Sequence, residues 1–235
     1  MSKKYYAFAL IFTLSVLIVL FLIGRQSPQS EPEQVQTPDP SATNSTVPIP
    51  ATEAPTPIPS ITQTSSESEL IDPIDEFESR ITKKTFGQYI APQNSPIQPE
   101  RFTGYHTGVD VEYEDEAGEV EVRATADGEV IYGGYVNGYG GVVIISHSIN
   151  SNNYLSLYGH LAPSSLIAGG ERVSKSQKIG ILGEGFSSET DGERRHLHFA
   201  IIKGGDIDYR GYVQNESDLD AWVNPIDFIN NNGEV

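Results

Sequence analysis

The stretch Arg195-His196-Leu197-His198-Phe199-Ala200-Ile201-Ile202 decides how this chain is read. Side chains alternate across a β-strand, so Leu197, Phe199 and Ile201 share one face while His196 and His198 share the other. An apolar face turned to a core and a pair of imidazoles on the opposite face point to a sheet that carries chemistry or a metal. The chain has five histidines and no cysteine. A disulfide framework and a thiolate zinc site are therefore excluded, and any metal must be held by His, Asp or Glu.

Working outward, apolar runs of strand length recur between turn signals: 120–126, 129–135, 142–147, 154–160, 178–182 and 198–202. Asp127-Gly128, Asn137-Gly138, Gly140-Gly141 and Gly169-Gly170 fall in the gaps, the pattern of an all-β, antiparallel domain built from hairpins. Pro225 interrupts the helical pattern of 221–229, and a short helix over 70–82 is predicted from Asp72-Pro73 followed by Ile74, Phe77 and Ile81. Prolines at 92, 96 and 99 make 86–103 a loop along the domain edge.

The remaining histidines supply the rest of a site. His106 and Asp110 are four residues apart, so in an extended segment they share a face. His160 closes a strand just before Ala162-Pro163, and His147 closes the strand before it. Catalytic zinc takes three protein ligands and leaves one position to water. His106, Asp110 and either His196 or His198 would make that set, with the other members acting as base and electrostatic stabiliser. His147 is read as structural.

The N-terminal third reads differently. Lys3 and Lys4 precede an uncharged apolar run from Ala7 to Gly24, long enough for a bilayer, which needs roughly 20 such residues. A cleaved signal peptide has a shorter apolar region ending in a small-x-small site, so residues 1–25 are expected to form an N-terminal transmembrane helix, the lysines holding the N-terminus in the cytoplasm. Residues 26–69, dense in Pro, Ser, Thr and Gln, are expected to be a disordered linker. The folded domain, 70–235, would then lie outside a cell membrane crossed once. A net charge of −17 with 15 basic residues rules against a phosphate-tracking surface, and nucleic acid is not expected as a partner.

The order His106-x-x-x-Asp110, then Tyr158-x-His160-Leu161, then His196-Leu197-His198-Phe199 resembles the LytM and lysostaphin type of zinc metallopeptidase, peptidase family M23. The segments 124–130, 142–147 and 170–180 are similar as well, and the likeness runs from about Phe86 to Ile229. It implies a two-sheet, LytM/lysostaphin-like domain, a Zn²⁺ held by His106, Asp110 and His198, and catalytic roles for His160 and His196. The implied substrate is a peptide bond of peptidoglycan, in a stem peptide or a cross-bridge. The alternative is a non-hydrolytic cell-envelope module that activates another wall hydrolase. Departures from the pattern are Arg194-Arg195 before His196, Ala200 where Glu is common, a long loop at 184–195, and the acidic stretch 112–119, read as a solvated connection.

Overall fold

The computed structural model describes residues 70–234; the expectations for 1–25 and 26–69 lie outside them. Among the described residues no helix is long and apolar enough to cross a membrane. In chain order the strands are β1 (Tyr89–Ile90), β2 (Gly104–His106), β3 (Val109–Glu112), β4 (Glu121–Arg123), β5 (Gly128–Val136), β6 (Gly140–Ile149) and β7 (Asn152–Leu161). They continue as β8 (Arg172–Val173), β9 (Lys178–Ile181), β10 (His196–Lys203), β11 (Tyr212–Val213) and β12 (Trp222–Val223), and helix α1 (Pro225–Asn230) follows. The domain is mostly β and its pairs are antiparallel, as the alternation predicts, but the strands divide into three sheets rather than two.

The large sheet runs β12-β10-β7-β6-β5-β8. Strand β10 pairs with β7 along one edge and with β3, then β12, along the other. Alternation along its strands sends Val143, Ile145, Tyr158, Leu197, Phe199 and Ile201 into one apolar cluster, which also takes Ile74, Phe77 and Phe228. Val142, Ile144, Leu155, Leu157, Ala200 and Ile202 enter a second cluster on the opposite face. Both faces of the central strands are therefore covered, which makes β10 a rigid platform for whatever its second face carries.

Two local expectations are corrected. Residues 73–80 form bends and turns, not a helix, because Glu76 adopts a left-handed φ of 53° that no helix accommodates. Ile74 and Phe77 are nevertheless buried, so the apolar spacing read there reports packing without helicity. Pro225 does not interrupt a helix but starts one: it occupies the first turn of α1, where its missing N–H costs nothing, and the Asn224 side chain caps Ile226 N–H.

Candidate metal centre

Four strands and one turn bring the predicted residues together. His198 on β10 stands directly opposite Asp110 on β3 and Gly159 on β7. Residues opposite one another in an antiparallel pair share a face, so this register alone delivers Asp110 to His198. His106 ends β2, and the turn Thr107-Gly108 folds it back over the start of β3. Only glycine fits at 108, since a Cβ there would lie 2.4 Å from the Phe199 carbonyl oxygen and 3.0 Å from His198 Nε2. The backbone of 84–88 clamps the same region, with Gly87 N–H donating to the His106 carbonyl and Asp110 N–H to that of Lys84.

The resulting geometry is a small triangle. His106 Nε2 lies 3.1 Å from His198 Nδ1 and 3.2 Å from Asp110 Oδ1, and His198 Nδ1 lies 3.1 Å from the same oxygen. Ligand atoms about 2.0–2.1 Å from a tetrahedral ion are separated by roughly 3.3–3.4 Å, so these residues fit zinc, three ligands leaving one position open. His106 Nδ1–H donates to the Thr85 carbonyl at 3.2 Å, which leaves the Nε2 lone pair free to face the triangle. Burial pushes the Asp110 pKa up, but His106, His196 and Arg194 outweigh it and hold the carboxyl well below its usual range. It is a carboxylate at neutral pH.

His160 and His196 flank the triangle with their rings 4.2 Å apart. His196 shares the His198 face by simple alternation, whereas His160 arrives by a different route. Gly141 pairs with Leu161 and Val142 with Gly159, so His160 is the extra residue of a β-bulge, with φ 63°. A bulge re-aims a side chain that alternation would send to the far face. Nothing in the composition of 154–161 announces this: the residues alone place His160 at a strand end, and only the resemblance implies its catalytic role. Burial depresses both pKa values, that of His160 to about 3 with help from His198, so both rings are neutral and each keeps a ring-nitrogen lone pair that can accept a hydrogen bond. Among the described residues, His160 Nδ1, His198 Nε2 and Tyr139 Oη are buried polar atoms without a hydrogen-bond partner.

A cavity of about 300 Å³ opens onto His160, His196 and His198, with Tyr139, Tyr209 and Tyr212 among its walls. The 184–195 loop supplies Glu193 and Arg194 to the same wall without filling the space. Arg101 ties that loop to the segment before β2, its guanidinium bonding Glu193 Oε1 at 2.6 and 2.9 Å and the Asp191 carbonyl at 2.9 Å. Residues not anticipated include Lys84, buried and paired with Glu100 at 2.7 Å and with the Tyr212 hydroxyl at 2.9 Å. Glu112 is a correction: it is 7% exposed and bound to Arg194, not part of a solvated connection. Its place two residues from Asp110 on β3 was the available signal.

His147 lies on the other face of the sheet. Its Nδ1–H donates to the Asp127 carbonyl at 2.8 Å and its Nε2 sits 2.7 Å from Ser156 Oγ, within a buried network reaching Tyr158 and Thr125 N–H.

Comparison with known proteins follows the same residues. The family model described as peptidase family M23 matches residues 104–209. The murein hydrolase activator EnvC of Escherichia coli (strain K12) is 39% identical over 85 residues, which cover 36% of this chain and 18% of that protein. The chain thus matches less than a fifth of that relative's length. Among solved structures, LytU is 26% identical over 65% of this chain and 85% of its own, with a TM-score of 0.45. The SpoIIQ–SpoIIIAH pore-forming complex gives 20% identity over 72% of this chain and 95% of that chain, with a TM-score of 0.49.

Proposed function

We propose that this chain, which belongs to peptidase family M23, is a membrane-anchored zinc endopeptidase that hydrolyses peptide bonds of peptidoglycan outside the cell membrane. The observation that carries the reading is the triangle of His106 Nε2, Asp110 Oδ1 and His198 Nδ1, whose His198 lines a cavity together with His160 and His196. A bound Zn²⁺ would supply Lewis acidity toward the scissile carbonyl and an acidified water. The protein's own groups do the rest. His196 Nδ1 faces the Arg194 carbonyl at 2.9 Å, so the proton sits on Nδ1 and Nε2 is free to take one. His160, neutral and beside it, is placed to orient the attacking water, to pass a proton toward the departing amine, or to donate to the oxyanion. The aromatic walls hold the peptide and limit water around the reacting carbonyl.

The apolar run at 7–24 would fix the domain to the membrane, and the Pro-rich segment, at about 3.1 Å per residue if extended, would let it reach wall material on the order of 130 Å away. The test is incubation of the purified protein with peptidoglycan, with and without chelator, and mass analysis of released peptides. Chelator-sensitive fragments with new amino termini are expected; none from any wall type would overturn the hydrolytic reading. A second reading, an activator of another wall hydrolase, is favoured by the name of the E. coli relative, whose matched part is 39% identical. Against it stands the set His106, Asp110 and His198 with His160 and His196 beside it, the last three lining one cavity.

A further inference from the structure

Arg194 is 2% exposed, an uncommon place for a guanidinium, and it bonds Glu112, Asp110 of the metal set and, through its carbonyl, His196 beside that set. Its Nε and Nη2 grip Glu112 at 2.6 to 3.1 Å, and Nη2 also donates to Asp110 Oδ2 at 2.8 Å. Asp110 therefore divides its oxygens: Oδ1 faces His106 and His198, while Oδ2 takes the Arg194 guanidinium and lies 3.5 Å from His196 Nε2. Asp110 and Glu112 lie on one face of β3, two buried carboxylates that would repel each other without a cation between them. The Arg194 backbone acts as well, its carbonyl accepting the His196 Nδ1 proton. One residue thus sets the orientation of a metal-facing carboxylate and the tautomer of a flanking imidazole.

We propose that Arg194 is a positioning residue of the metal centre: by occupying Asp110 Oδ2 it confines that carboxylate to one-oxygen ligation through Oδ1 and keeps a further coordination position open for water. The inference rests on the zinc reading above. A bidentate fork of fixed shape does this; a lysine, with one compact ammonium, cannot hold Glu112 and Asp110 in the same geometry.

The test uses the purified full chain, as wild type, Arg194→Lys, Arg194→Met and the double variant Arg194→Met/Glu112→Met, in which Glu112 is no longer left as a buried carboxylate without its cation and Asp110 alone loses a partner. Zinc affinity is read by competition with a chromophoric chelator, and coordination by the visible spectrum of the Co²⁺-substituted protein, where four-coordinate cobalt absorbs more strongly than five- or six-coordinate. Metal-free unfolding midpoints separate lost stability from lost positioning. A 10- to 100-fold loss of zinc affinity is expected in Arg194→Met and in the double variant, the range seen when groups behind metal ligands are removed. The cobalt bands should weaken as Asp110 takes up a second bond, and Arg194→Lys should recover the midpoint more fully than the spectrum. Wild-type affinity or a wild-type spectrum in both Arg194→Lys and the double variant would overturn the inference. Wild-type protein that binds no zinc would overturn the metal reading itself, an outcome visible before any variant is compared.

Discussion

Gly159 and His198 face each other across β7 and β10, and the missing side chain of the first makes room for the ring that rests beside the second. A Cβ on Gly159 would lie 2.5 Å from Cδ1 of Tyr139, whose ring stands 5.2 Å from that of His198 and 5.4 Å from that of His160. Tyr139 is the wedge that fixes both imidazoles.

Gly159→Ala should therefore fold with a cost of about 1–3 kcal/mol from overpacking, because the clash is with a buried ring rather than a flexible tip. Peptide release should fall at least tenfold, about 1.4 kcal/mol of lost transition-state stabilisation. Denaturant unfolding and turnover measured on the same preparation decide it; unchanged turnover would show that Tyr139 does not position the histidines.

His106→Ala should abolish zinc retention, whereas His160→Ala should keep the metal and lose on the order of 10²–10⁴-fold in rate, the range for a group that moves protons in the transition state. Metal content of the two purified variants is the measurement. Equal metal loss in both would remove the division between ligands and flanking histidines.

Zinc should stabilise the folded domain by mass action. At free zinc 100 times the dissociation constant the gain is about 2.7 kcal/mol, provided the unfolded chain does not bind it. Thermal unfolding with zinc and with chelator tests this, and Asp110→Asn should shrink the difference.

His147 should give the domain a pH dependence separate from the metal. Burial lowers its folded pKa below the ordinary 6.5, despite the Asp127 carbonyl, so above that value neither state carries the proton and the network is fully effective. As pH falls below about 6.5 the unfolded chain takes up a proton that the folded one refuses, and stability drops by up to about 1.4 kcal/mol per pH unit for this group. Below its depressed folded pKa the loss levels off. His147→Gln, compared with wild type in urea unfolding between pH 7 and pH 5, should have the flatter profile; identical slopes would sink the assignment.

Much of this fold was legible in the sequence because it rests on period-two alternation. The split of β10 into Leu197, Phe199 and Ile201 on one side and His196 and His198 on the other is what the structure has. Features that depend on tertiary closure were not legible. Glu112 opens an acidic run and looks solvated until Arg194, more than 80 residues later, closes over it. Lys84 carries no local mark of burial, since its partners Glu100 and Tyr212 come from other segments. The helix expected over 70–82 failed for a related reason: apolar residues at 74 and 77 are drawn into the core whatever the backbone does between them, and Glu76 turns left-handed there.

The bulge at His160 carries one more implication. Because Val142 pairs with Gly159 and Gly141 with Leu161, one surplus residue in β7 separates a strand that contributes an imidazole to the cavity from one that would bury it in the apolar layer. Deleting that residue would leave a regular ladder and an intact apolar pattern up to Gly159. Pairing regularity and chemistry are thus opposed in this strand: the change that would make the sheet more uniform is the one that would silence it.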